Sequence, residues 1–359
     1  MAIGKIAKMS EMLSLIVAFF TCFIIIFLCE PMASKVGLVD TPTARKKHEG
    51  QVPLVGGVAI YISVLISSLI FLDYTHTFKV YLLTSSVVML LGVFDDRFCL
   101  SVKLRVSIQI LLALVMVYWA DVSLKSFGNI LGVFELELGK LSVLVTIIAV
   151  IGGINAFNMV DGIDGLAGVL SVITFSALAV LLGMSGSSWY LLCLLFLSAI
   201  IAFLLFNLRW PSKQMCKVFM GDAGSMLIGF SIVWMLLIAT DENVSAFKPV
   251  TALYIIAIPL MDMAAIMYRR IRKGTSPFKP DRDHLHHIFE RAGCTRKQSL
   301  VIIALMSVFC ASLGCFLDYL AVPEWVLLTI FILIFILYCY ALSRIWRILS
   351  WIRKINFKE

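Results

Sequence analysis

Charge is scarce in this sequence. Asp, Glu, Lys and Arg make up 14% of its 359 residues, against about 25% in a soluble domain. With 61% hydrophobic residues and a mean hydropathy of +1.00, a soluble globule of this length would leave too much apolar surface in water. The solvent for most of the chain is therefore lipid. Other absences narrow the chemistry. The nine cysteines (Cys22, Cys29, Cys99, Cys193, Cys216, Cys294, Cys310, Cys315 and Cys339) form no CxxC pair. Most lie inside apolar runs, where cysteine is a small hydrophobe, which argues against a disulfide framework or a zinc–thiolate centre. No G-x-x-x-x-G-K-S/T, G-x-S-x-G or H-E-x-x-H motif occurs, which argues against a P-loop ATPase, a serine hydrolase and a zinc peptidase. No internal repeat or low-complexity tract is visible, and nothing marks a second domain. Lys5 and Lys8 precede an apolar run at 12–29 with no A-x-A-like cleavage site before Glu30-Pro31. That run is predicted to be an uncleaved first helix rather than a signal peptide.

What is present is a series of apolar runs, about 17–22 residues each, without polar alternation. That length suits a spanning helix and not a barrel strand, and a helix satisfies its own backbone in lipid. The predicted fold is all-α: a polytopic transmembrane helix bundle, and a single integral membrane domain over 1–359. About eleven spans are expected, near 12–30, 53–72, 79–95, 104–121, 141–159, 165–184, 188–207, 222–240, 249–268, 299–317 and 324–343.

Lys and Arg set the orientation. One side holds the loops near 31–52, 95–103, 155–166, 208–221 and 269–298, the basic tail 344–359, and Arg105 at the margin of the second loop. It carries 24 of the 30 basic residues. The bias places that side in the cytoplasm, the N-terminus outside and the C-terminus inside. Lys5 and Lys8 pull locally the other way and are outvoted by the downstream loops. The formal net charge of +8 then belongs to loops beside anionic lipid headgroups, and no nucleic-acid partner is expected.

The polar motifs at span boundaries fall on that same side, a coincidence that hydropathy alone does not require. Asp95-Asp96-Arg97 follows the apolar run LLGVF, with Lys103 and Arg105 about two turns on. Adjacent carboxylates resist burial; they serve if they bind a divalent cation or if one holds a proton. A solvated helix end is the plain alternative. In Asn155-Ala-Phe-Asn158-Met-Val-Asp161-Gly162-Ile-Asp164-Gly165, four polar side chains recur every third residue. On a helix they would form a slanting ridge, with oxygens suited to Mg²⁺ or Mn²⁺ and glycines that admit a phosphate. A polar turn between spans is the alternative. Phe219-Met220-Gly221-Asp222-Ala223-Gly224-Ser225 opens the eighth span; Asp222 is a helix cap or a metal ligand beside phosphate-admitting glycines. Asn207, just before, offers an amide that could read a base edge or simply finish a helix.

The longest basic loop carries Arg269-Arg270, then Pro277, Pro280, Asp281 and His284-Leu-His286-His287. Three histidines in four residues suit a metal; the nearby cations suit an anionic substrate equally well. Asp40-Thr41-Pro42, with Arg45, Lys46, Lys47 and His48 before Pro53, Gly56 and Gly57, reads as a phosphate-binding mouth or as an ordinary basic juxtamembrane loop. Together these residues describe metal-assisted phosphoryl transfer at a membrane face. A secondary transporter is the competing class, but transporter sites lie near the midplane, often between repeats, and neither feature is visible.

At these motifs the chain resembles the polyprenyl-phosphate N-acetylhexosamine-1-phosphate transferases. The resemblance runs from about residue 31 to 343: DD at 95–96, NxxNxxDGxDG at 155–165, FMGD at 219–222 and the histidine loop at 284–287, in the family's order. The stretches KVGLVD, PLVGG, NAFNMVDGIDGL, KVFMGDAGS, PLMDM and AIMYRR look like its GlcNAc branch. The peptidoglycan branch, which uses UDP-MurNAc-pentapeptide, carries three consecutive histidines where this chain has His284-Leu-His286-His287. The resemblance implies transfer of GlcNAc 1-phosphate from UDP-GlcNAc to undecaprenyl phosphate, with release of UMP, in the bacterial inner membrane. It implies the first membrane step of O-antigen lipopolysaccharide or enterobacterial common antigen synthesis. By the same resemblance Asp222 and Asn158 would bind Mg²⁺, with Mn²⁺ as an alternative. Asp95, Asp96, Asp161 and Asp164 would be catalytic, with Asp95 the candidate base near the lipid phosphate. Asn207 and Phe219 would hold the uracil, although the stretch between them is longer here than in the peptidoglycan branch. Lys103, Asn155, Arg270, His284, His286 and His287 would contact substrate. The resemblance leaves open a homo-oligomer, and direct attack by the lipid against a route through an aspartyl-phosphate.

Overall fold

The computed structural model describes residues 2–41, 50–276 and 284–356. Pro42, Arg45, Lys46, Lys47 and His48 of the basic loop, and Pro277, Pro280 and Asp281 of the histidine loop, lie outside the described residues. The chain is an all-α bundle: α1 (Ala2–Val36), α2 (Gly56–Phe71), α3 (His76–Phe98), α4 (Val102–Ala120), α5 (Ser142–Val160), α6 (Leu166–Met184), α7 (Trp189–Asn207), α8 (Gly221–Thr240), α9 (Pro249–Ile255), α10 (Ala257–Arg272), α11 (Leu285–Arg291), α12 (Arg296–Tyr319) and α13 (Glu324–Asn356). Every expected span is helical. Among the described residues nine helices are long and apolar enough to cross a membrane, which makes this a multi-pass membrane protein. All nine cysteines are free.

Two spans differ from expectation. The second, α2, is a shorter helix, because it starts only at Gly56, after Pro53 has paired in a short strand. The ninth is broken: α9 and α10 meet at an angle of 83°. Pro259 explains the break, since proline donates no N–H and its ring clashes with the carbonyl four residues back, that of Ile255. Among the described residues one sheet forms, a clip of β1 (Val39–Asp40) antiparallel to β2 (Val52–Pro53).

The clip leads into the centre of the bundle. Pro53 C=O accepts from Phe219 N–H at 2.8 Å, Gly56 N–H donates to Phe219 C=O at 3.0 Å, and Gly57 N–H donates to Met220 C=O at 2.9 Å. The PLVGG stretch therefore holds the backbone of the FMGD stretch. Gly57 is needed for close contact: a Cβ there would stand 2.2 Å from Gly224 N. This closeness seats α8 in the middle, against α2, α3, α5 and α6. Of its most apolar stretch 94% is buried, against 22% for α1. Gly57→Ala is expected to cost at least about 1–3 kcal/mol, seen as a lower melting temperature in detergent. Gly152→Ala, whose new methyl meets only Met263 at 3.9 Å, should melt like the parent.

Candidate active site

Four helix ends meet at one end of the bundle. α3 finishes just past Asp95-Asp96, α5 just past Asn158 and α7 at Asn207, while α8 starts at Gly221. The first N–H groups of a helix lack partners within it and carry partial positive charge. In α8 a side chain from another helix takes two of them. Asp96 Oδ1 accepts from Asp222 N–H at 2.8 Å, and Oδ2 accepts from Ala223 N–H at 3.1 Å. Asp222 Oδ1 accepts from Asn158 Nδ2 at 2.7 Å, and the same amide reaches Ser225 Oγ at 3.0 Å. Asp95, only 4% exposed, pairs with Arg105 Nη1 at 2.5 Å and accepts from Leu100 N–H at 2.8 Å. Its carboxyl also touches that of Asp222. Two carboxyls in contact repel unless a proton or a cation lies between them.

The Asn-Asp ridge is broken. α5 stops at Val160, and Asp161 is its C-cap with φ −73° and ψ 73°, so only Asn155 and Asn158 lie on helix. Asn155 turns away from the cluster to donate to Gln109 Oε1 on α4 at 3.1 Å and to Ile151 C=O at 2.7 Å. Asp164 pairs with Lys217 Nζ at 2.6 Å, and that ammonium also lies 5.0 Å from the centre of the Phe219 ring. Asn207 uses its amide to join two loops. Its Oδ1 accepts from Gly165 N–H at 2.6 Å and its Nδ2 donates to Val218 C=O at 2.8 Å. It ties the 161–165 loop to the segment before α8, and both polar ends are occupied in doing so.

Lys103 is exposed in the first turn of α4, and Arg270 is buried in the last turn of α10. His284 and His286 are buried, His287 half-buried. The three rings follow one another, with centroids 5.7 Å apart for His284 and His286 and 4.2 Å apart for His286 and His287. His286 lies against Gly162, where any Cβ would come within 2.2 Å of its ring, and neither of its ring nitrogens has a hydrogen-bond partner. Burial, helped by His287, His284 and Arg296, pushes its pKa down to about 2. Burial also lowers that of His287. Both rings are neutral at neutral pH.

Ser225, Gln109 and Lys217 do work that the sequence reading did not assign. Gln109 had a signal, as a lone amide inside an apolar run. Lys217 counted only as a loop charge.

Residues 78–240, which contain Asp95, Asp96, Asn158, Asp161, Asp164, Asn207 and Asp222, match the model of glycosyl transferase family 4. An undecaprenyl-phosphate alpha-N-acetylglucosaminyl 1-phosphate transferase of Pasteurella multocida is 44% identical over 348 residues, 96% of this chain and 97% of its own length. The chain belongs to glycosyl transferase family 4. Family members of the same name from Yersinia pestis and Escherichia coli K12 are 46% and 45% identical, each over 95% of this chain and 94% of their own. The family stretch ends before the histidine loop.

Two outcomes follow from this geometry. Asn207→Ala leaves two buried partners unsatisfied, at about 1–3 kcal/mol each, and is expected to lower the melting temperature accordingly. An unfolded histidine takes its proton near pH 6.5, whereas folded His286 does so only near 2. The docking of α11 is therefore fully favoured above about pH 6.5 and weakens as pH falls below it. Hydrogen exchange over 285–291, corrected for intrinsic rates, should speed up between about pH 7.5 and about 5.5, and His286→Gln should flatten that dependence.

Proposed function

We propose that the chain transfers N-acetylglucosamine 1-phosphate from UDP-GlcNAc to undecaprenyl phosphate and releases UMP, on the cytoplasmic face of the bacterial inner membrane. The reading is carried by the convergence of Asp95, Asp96, Asn158 and Asp222 on the start of α8, in a chain whose relatives are named for this transfer. The excess of Lys and Arg at the same end supports the cytoplasmic assignment.

Both substrates are anions, so the site must supply positive charge where they meet. Arg105 and Lys217 are ion-paired to Asp95 and Asp164. Mg²⁺ fits the donor chemistry, and Mn²⁺ shares it. Asp222 and Asn158 offer hard oxygens, and the contact of Asp222 with Asp95 favours a cation. Among the described residues no group of three or more His, Cys, Asp or Glu forms a metal cage. That suits an ion that binds through one or two carboxylates and substrate phosphates. When bound, the ion neutralises pyrophosphate charge.

The lipid phosphate oxygen attacks the β-phosphorus of UDP-GlcNAc. A new P–O bond forms as the bond to the bridging oxygen breaks, and UMP leaves with the electron pair. A lipid phosphate whose second pKa is about 6 is already largely dianionic at neutral pH, so little base catalysis is required. Direct attack is favoured over an aspartyl-phosphate because both oxygens of Asp96 already accept backbone N–H groups and Asp95 is held by Arg105 and Leu100.

Purified protein given labelled UDP-GlcNAc, undecaprenyl phosphate and Mg²⁺ is expected to release UMP. UDP-MurNAc-pentapeptide should give none, and Asp222→Asn should lower the rate at least about 100-fold. Folded protein that releases no UMP overturns the reading. A labelled enzyme trapped without lipid overturns the direct route.

A further inference from the structure

PLMDM places one carboxylate, Asp262, inside an otherwise apolar segment, and the transfer chemistry leaves it without a task. It lies on α10 shortly after the break, and it is 1% exposed. A charge so placed is costly unless fully hydrogen-bonded, and three donors converge on it. His284 Nδ1 lies 3.0 Å from Oδ2. Leu285 N–H donates to Oδ1 at 3.1 Å and the Tyr338 hydroxyl donates to Oδ1 at 3.1 Å. One donor starts the histidine helix, one is its first backbone N–H, and one comes from α13.

A carboxylate only accepts, so His284 Nδ1 carries a hydrogen, and that contact fixes the ring's orientation. His284 is the N-cap of α11, with φ −66° and ψ 154°. Two residues on, His286 presses on Gly162 in the loop that carries Asp161 and Asp164. From Asp262 the contacts therefore run through His284 and α11 to the loop after α5.

We propose that Asp262 is a positioning residue for the transfer: it sets the tautomer and orientation of His284 and docks the histidine helix onto the 161–165 loop, with Tyr338 steadying the carboxylate from α13. This rests on the transferase reading above, but part of its test does not. The isosteric Asp262→Asn retains acceptors for Leu285 and Tyr338 and reverses the demand on His284 Nδ1. It is expected to lower kcat by about 10–100-fold, with KM for UDP-GlcNAc little changed and the melting temperature close to the parent's. Hydrogen exchange should rise over 285–291 and not over α8. Because the two residues act as a unit, the double variant Asp262→Asn/His284→Gln should be no slower than His284→Gln alone. Tyr338→Phe, which spares the His284 contact, should cost less than about tenfold.

Parent-like kcat and exchange in Asp262→Asn overturn the proposal. So do multiplicative losses in the double variant, or a fall in melting temperature that accounts for the lost activity. If Asp262→Asn does not fold, Asp262→Glu replaces it, and faster exchange over 285–291 with a parent-like kcat overturns the proposal. If the parent releases no UMP, the transferase reading fails, while the exchange data still decide whether Asp262 docks α11.

Discussion

The site depends on how the first turn of α8 is held. A helix start inside a protein exposes N–H groups that must find acceptors, and here Asp96 of α3 supplies two. The arrangement also settles what the carboxylate needs. Its charge faces the positive end of the helix dipole and takes charge-assisted hydrogen bonds, so a group that would be costly at a membrane boundary becomes a fastener. Asp222 is then fixed in that first turn, where Asn158 of α5 and Asp95 of α3 reach its side chain. The Phe219–Met220 backbone, pinned by Pro53, Gly56 and Gly57, prevents the turn from sliding.

The opposite end of the bundle handles its charges differently. Lys125 pairs with Asp241 at 2.9 Å, and Asp318 accepts from Lys248 N–H and the Thr251 hydroxyl at 3.1 and 2.9 Å. Burial alone would raise the pKa of Asp241, but the Lys125 ammonium and Asn243 hold it below the usual carboxylate range. A cavity of about 770 Å³ opens among these groups, with acids and bases stapling loops to one another. At the start of α8 the carboxyl of Asp95 meets that of Asp222. Like charges brought together need something from outside to compensate them, and this separates a site from a margin.

Most of the fold was legible, because spanning length in lipid is a strong constraint. All expected spans are helices. The break between α9 and α10 was signalled by Pro259, yet hydropathy averages across a proline and reports one segment. The site was legible as a set of motifs and not as a geometry. Period-three spacing suggested a continuous ridge from Asn155 to Asp164, but the chain leaves the helix at Asp161, ahead of Gly162 and Gly165. Asn207 was correctly placed at a helix end, but its partners, Gly165 and Val218, lie in loops whose approach no periodicity encodes. Asp262 was visible as part of a motif. Its task emerges only when α10, α11 and α13 are seen to meet.

The central claim is that the nucleotide-sugar phosphates are gathered at the start of α8. The most direct measurement is a crystal of the protein with UDP-GlcNAc and Mn²⁺, with the metal located by its anomalous scattering. The account predicts a peak within bonding distance of an Asp222 carboxylate oxygen, with the pyrophosphate beside it. A peak held by His284, His286 and His287, with Asp222 unligated, would contradict it.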